Sequence, residues 1–349
     1  MDNILPAYDD PLFSILIIII LILIVALSSF IIGNYKEKNK KNSLKKFLGG
    51  FKKDNSVLNI EEMPFEKTLI QPLTLLAQAF KTQGEYQKSI NLNLYLINNI
   101  PNFFEKEKIL EQLGETYLKA GFLKRSKSIY MEILKKHPRN KKALYFLGVV
   151  YELLHEFDQA LEILTPLEIL GENTKKLEAH IKLSKLLSQK NLSKIQKIEV
   201  LIPLLHDKNY SYRRIMKALF SLDLEVAWQN INQQQINSIL DILWLLPPLN
   251  VNIDVVSKSN SLSLLYQAKG LLTIQEQGEK STFFSIDTII AAKQNAYNEI
   301  DLLFNYGCDK CKNHFPIGFT RCPKCYAIDT LQIKETLVQK QLQSNYSLL

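Results

Sequence analysis

Cys308, Cys311, Cys322 and Cys325 are the only cysteines in this 349-residue chain, and they form two Cys-x2-Cys pairs ten residues apart. Two thiolates at that spacing share one turn and reach a single ion, while backbone N–H groups of the turn point at the sulfurs. A second such turn completes a tetrahedral four-sulfur site. Pro323, directly after Cys322, suits the second turn, and Tyr306, Phe315, Phe319 and Tyr326 can shield the site. Zinc is the expected ion, with iron second because nothing else in the sequence points to electron transfer. Four sulfur ligands leave no position open for water, so the metal is structural. A redox-active pair is the rival, but it belongs in a βαβ context that is absent. His314 lies close by and reads as an exposed hairpin residue. Five scattered histidines, with no Walker loop, no metalloprotease helix motif and no Ser/His/Asp order, indicate no catalytic residue and no small-molecule substrate.

The chemistry of these thiols depends on compartment, and the other end of the chain bears on that. Leu12 to Ile32 is an uncharged run of 21 residues. At about 1.5 Å per residue, such a helix spans a hydrocarbon core of about 30 Å. A cleaved signal peptide would need a basic start and a shorter apolar core; here the start carries Asp2, Asp9 and Asp10. Between Lys36 and Lys53 lie eight lysines and one glutamate, a local charge of +7 within a total of +8. A basic footprint confined to the flank of an apolar segment points to a membrane surface and argues against nucleic acid. By the positive-inside rule the N-terminus faces out and the bulk faces a reducing cytoplasm. Leu44, Phe47, Leu48 and Phe51 recur at helical spacing there. A short helix would lay them among headgroups while Lys45, Lys46 and Lys52 meet anionic lipid. A flexible basic linker containing Gly49-Gly50 is the equal alternative.

Between these ends the chain repeats. Leu110, Leu113, Gly114 and Tyr117 recur 34 residues on as Leu144, Leu147, Gly148 and Tyr151, and an earlier copy reads Leu73, Leu76, Ala77 and Phe80. That period and order of residue sizes is the tetratricopeptide pattern, in which helix pairs stack into a solenoid. The small residue admits the paired helix and the aromatic fills the space between pairs. Gly84 and Gly121 end the first helix of a pair, and Pro101 and Pro138 end the second. After about residue 172 the pattern decays through His180, Leu183, Ser184 and Leu187. Pro247-Pro248 and Asn250 to Asn260 interrupt it, and helical periodicity resumes over Leu262 to Glu276 and Ile286 to Phe304. Such solenoids hold peptides in a groove lined by the first helices. Here Gln78, Lys81, Lys108, Glu111, Glu115, Lys142, Tyr145 and Glu152 are the candidate partner-binding residues, a mixed set that names no ligand.

The expected fold is therefore all-α: a tetratricopeptide-type solenoid with an N-terminal transmembrane helix and a small C-terminal metal knuckle. The segments are 1–11 outside, 12–32 spanning, 33–64 a basic linker, 65–305 helical repeats, 306–329 the metal module and 330–349 a tail.

This order of parts resembles the lipopolysaccharide assembly protein B family over nearly the whole chain. Two stretches carry the likeness: Leu76 to Tyr86 with Gln112 to Gly121, and Tyr306 to Cys311 with Cys322 to Cys325. The chain departs from the family in having Lys312 where Gly is common and Thr320 where Trp is common. The resemblance implies a rubredoxin-like module packed against the repeats, with the four cysteines as its metal ligands. It further implies a bacterial inner-membrane adaptor that helps the FtsH protease degrade the lipid A deacetylase, and so regulates lipopolysaccharide synthesis. A general membrane-anchored assembly scaffold and a rubredoxin-like electron carrier are the rival readings; a homo-oligomer stays open.

Overall fold

In a computed structural model of the protein, the described residues are 65–274 and 280–340, with Leu21, Leu23, Leu27 and Ser28. Those four are helical and exposed; the rest of the expected anchor and the basic linker with Lys45, Lys46, Phe47, Phe51 and Lys52 lie outside the described residues. Among the described residues no helix is long and apolar enough to cross a membrane. The chain is mostly helical, ends in a small sheet that holds a cysteine cluster, and divides into two compact units on either side of Phe122.

The first unit contains α1 (Ile70–Gln83), α2 (Tyr86–Asn99) and α3 (Phe103–Lys119). Leu73, Leu76, Ala77 and Phe80 of α1 share a buried cluster with Leu92, Tyr95 and Leu96 of α2 and Ile109 of α3. Gly84 closes α1 in the left-handed region at φ 83°, and the Glu85 N–H reaches back to the Phe80 carbonyl at 2.9 Å. This six-residue return caps carbonyls that the helix end leaves unpaired, and a residue without Cβ adopts it at no steric cost. Asn102, after Pro101, caps α3 by accepting the Phe104 N–H at 3.0 Å.

The second unit opens with α4 (Leu123–Lys136), α5 (Lys141–Leu153), α6 (Phe157–Glu162) and α7 (Leu164–Ile169). Asn140 caps α5 as Asn102 caps α3, accepting from the Ala143 N–H at 2.8 Å. His155 stands 34 residues after Gly121 and takes the same left-handed turn, at φ 61°, with the Glu156 N–H on the Tyr151 carbonyl. The repeat thus continues in the backbone where the residue type has changed. Next come α8 (Lys175–Ser188), α9 (Lys194–Leu204), α10 (Tyr212–Leu222), α11 (Leu224–Gln229), α12 (Leu240–Leu245), α13 (Ile253–Ser257), α14 (Asn260–Lys269) and α15 (Phe284–Gln294). These share one core, in which Trp228, Trp244 and Tyr266 are buried among Leu219, Leu240 and Leu265. Each aromatic polar group in it finds a partner: Trp228 Nε1–H donates to the Asn250 carbonyl and Tyr266 O–H to the Leu243 carbonyl, both at 2.9 Å.

The all-α expectation needs correction at the C-terminus. Helix α15 ends at Gln294, and Ile300–Cys308 is a strand, β1, flanked by β2 (His314–Phe315) and β3 (Leu331–Gln339) in the order β2-β1-β3. Leu302, Phe304, Tyr306 and Cys308 alternate into the interior while Leu303 faces out. That is the period of a half-buried strand and not of a helix. β3 pairs antiparallel with β1 along its whole length, Cys308 opposite Leu331 and Ile300 opposite Gln339. The sheet therefore draws on residues assigned to the repeats (65–305) and to the tail (330–349). Leu302, Phe304 and Tyr306 join the helical core, so the sheet is seated on the helices.

Candidate metal centre

Two matching turns build the site. In the first, the Cys308 N–H donates to the Asn313 carbonyl at 2.9 Å and the Lys312 N–H to the Cys308 carbonyl at 2.8 Å. In the second, the Cys322 N–H donates to the Ala327 carbonyl at 2.8 Å and the Tyr326 N–H to the Cys322 carbonyl at 2.9 Å. The residue after each second cysteine, Lys312 or Tyr326, adopts a positive φ of 57° or 58°. This left-handed step turns the chain back so that both sulfurs of a pair face inward. It is the position where the resembled family commonly has Gly, and this chain makes the turn there with a lysine.

The turns bring the four predicted ligands together. Cys308 Sγ lies 3.7 Å from Cys325 Sγ, and Cys311 Sγ lies 3.7 Å from Cys322 Sγ. All four Sγ atoms fall within 4.8 Å of one another, and none is in a disulfide. A tetrahedron with metal–sulfur bonds of about 2.3 Å has edges of about 3.8 Å. A disulfide would need about 2.0 Å. The donor set therefore fits a tetrahedrally bound ion.

Burial works against the thiolate at every position. At Cys308 it is outweighed by the Thr330 hydroxyl, 3.2 Å away, and the Cys311 N–H, which hold the thiol down at about 6. At Cys311 the N–H and side chain of Asn313 again outweigh burial and lower the thiol. At Cys322 burial prevails over the N–H groups of Cys325 and Lys324 and pushes the thiol up to about 12, and Cys325 is raised for the same reason. A bound dication would supply the positive charge that this half-buried cluster of thiolates requires.

The second turn is fastened to the repeats of its own unit. Tyr145 O–H donates to the Tyr326 carbonyl at 2.9 Å. The Tyr326 ring meets Phe146 edge-on at 6.1 Å, and Phe146 stacks on Tyr130 at 5.8 Å. Arg321, next to Cys322, donates through Nη1 to the Tyr326 carbonyl at 2.6 Å and through Nη2 to Glu152. Glu152 also lies 2.8 Å from His180 Nε2, and His180 Nδ1 lies 3.2 Å from Arg214 Nη1. A guanidinium only donates and a carboxylate only accepts. His180 is therefore neutral, with its proton on Nε2, in agreement with burial lowering its pKa. Burial opposes the Glu152 carboxylate, but His180 and Arg321 outweigh it and hold the group at about 2.

A second latch lies beside the first. Arg213 pairs with Asp241, which is 2 % exposed, and Tyr306 O–H donates to Asp241 Oδ2 at 2.7 Å. The rotation of α10 thus points Arg213 at Asp241, which holds the strand entering the site, and Arg214 at His180 and Ser184, which back Glu152 and the second turn.

The candidate groove residues separate. Tyr145 and Glu152, expected to meet a partner, are engaged by the C-terminal module of the same unit. Lys142 lines a cleft of about 430 Å³ with Tyr145 and Ile328. In the first unit the buried Lys81 donates to Glu115 at 2.9 Å, while Gln78 and Lys108 are exposed and Glu111 is half-buried. His314 is exposed on β2, opposite Gly307. Sequence reasoning named all four sulfurs but missed Thr330, Arg321, Arg213, Arg214 and Asp241, whose partners lie too far along the chain for any local spacing to reveal. No protein-family model matches the chain, and no curated protein matches it either.

Proposed function

We propose that this protein is a non-catalytic, membrane-anchored adaptor whose tetratricopeptide-type solenoid holds protein partners, with a zinc-bound, rubredoxin-like module as its structural clasp. The carrying observation is the fastening of a four-thiol site onto repeat helices through Arg321, Glu152 and His180. Metal binding here stabilises a surface made by two parts of the chain, which is what a scaffold needs. Four sulfur ligands leave no exchangeable position, which supports a structural ion over a catalytic one. Zinc is preferred because it has no redox chemistry and is content with tetrahedral sulfur.

The anchor rests on the apolar run Leu12 to Ile32 and its lysine flank, and it would keep the repeats at the inner leaflet. In this reading the partners are the FtsH protease and the lipid A deacetylase, and the outcome is control of lipopolysaccharide synthesis; this part rests on the family resemblance. Affinity capture of the tagged chain from solubilised membranes tests it. Recovery of both proteins is expected, whereas a reproducible complex containing neither would favour an assembly scaffold for another pathway. Metal analysis of the same preparation should find one zinc per chain, and a red, visible-absorbing product would instead favour an iron electron carrier.

A further inference from the structure

A cleft of about 740 Å³ lies between α10 and the start of β3. Lys176, Lys208, Arg213, Arg214, Lys217 and Lys334 line it, against one carboxylate, Asp329. The two arginines are committed to Asp241 and to His180. The four lysines are exposed and form no ion pair among the described residues. The positive charge of this cleft is therefore largely uncompensated.

One wall of the cleft is a strand edge. Leu331, Gln332, Ile333 and Lys334 all border it, although successive residues of a strand point to opposite faces. Leu331 and Ile333 turn to the core, while Lys334 reaches His314 on the outer face. The place where both sets of side chains border one space is the strand's outer edge. β3 pairs only with β1. Among the described residues its outer edge makes no backbone hydrogen bond to another element. Lysines often guard such edges against added strands. Here only Lys334 stands on the strand; the others come from the facing helical side, so they repel basic segments and select acidic ones.

We propose that this cleft binds an extended acidic segment of a partner protein, taken up as an added strand along Leu331–Lys334. Main-chain pairing with the open edge supplies affinity and the facing lysines supply selectivity. The inference stands on the cleft alone and does not require the membrane pathway.

The test is fluorescence anisotropy with the full chain in mild detergent and a labelled peptide of about ten alternating Glu and Val residues. Saturable binding is expected, weakened about tenfold or more by raising salt and by the exposed-site double variant Lys208→Glu/Lys217→Glu. The variant's melting curve should match the parent's, which separates lost binding from lost folding. A peptide of the same sequence, N-methylated at alternate residues to block strand pairing, should bind about tenfold more weakly. No binding of the first peptide, or equal binding of the two, overturns the proposal. Tighter binding of an oligothymidylate of similar length would assign the cleft to nucleic acid and overturn it as well.

Discussion

Glu152 concentrates the electrostatics of the docked module. Its neighbours are Arg321 from the second turn, His180 and Ser184 from α8, and Arg214 and Tyr145 nearby. Its carboxyl sits at about 2, below the ordinary 4.5. On acidification the unfolded chain takes up the proton first. The stabilisation is thus complete above about pH 4.5 and is lost as pH falls towards 2. His180 is likewise lowered from 6.5, so the loss begins just below that pH. Glu152→Gln should cost about 3 kcal/mol near neutral pH, because the buried Arg321 guanidinium loses its carboxylate. Its melting temperature should converge on the parent's as pH drops below 4.5; an unchanging gap would show that Glu152 is not the titrating group. Lys312→Gly is expected to act oppositely. It removes the strain of a Cβ at φ 57° and sacrifices only an exposed pair with Asp309. Stability should rise by about 1 kcal/mol in chemical denaturation, with metal content unchanged.

At the scale of elements, what could be foreseen was what is encoded locally. The helix pairs followed from a 34-residue period, and their ends from Gly84, Gly121, Pro101 and Pro138. The cysteine turns followed from spacing alone. The strand β1 escapes a periodicity reading that carries helical spacing from Ile286 to Phe304 across the polar segment Lys293 to Glu299, although Leu302, Phe304, Tyr306 and Cys308 alternate. β3 was missed because Leu331, Ile333 and Leu337 mean little until β1 lies beside them. The latches were invisible because Arg321 meets Glu152 across 169 residues and Tyr306 meets Asp241 across 65. One packing expectation is refined. A Cβ added to Gly148 would meet only Ile163 Cγ2, at 3.6 Å, an ordinary contact. Gly148→Ala should therefore stabilise α5 by about 0.5–1 kcal/mol through its helix propensity. A loss of stability on thermal melting would mean the helices there need more room than the contact implies.

For the molecule as a whole, the cysteine module is built into the second unit, with Leu302, Phe304 and Tyr306 in that unit's core and Arg321 on Glu152. Cys308→Ser/Cys311→Ser should abolish the single metal equivalent. It should also raise hydrogen exchange along β1 and β3 and at Tyr145 to Glu152 on α5, since the second turn holds that helix face. Exchange confined to residues 308–330 would show that the repeats do not depend on the ion. Chelation should reproduce the same pattern, and added zinc should reverse it.

The long reach of these contacts has a consequence for biosynthesis. The helix face around Tyr145 and Glu152 leaves the ribosome well before the segment that covers it, separated by 169 to 181 residues. At translation speeds of about 5–20 residues per second, that surface stays bare for roughly ten to thirty seconds. Nascent chains would therefore be most exposed to chaperones and to mistaken pairing in that interval, and a shortage of metal would prolong it.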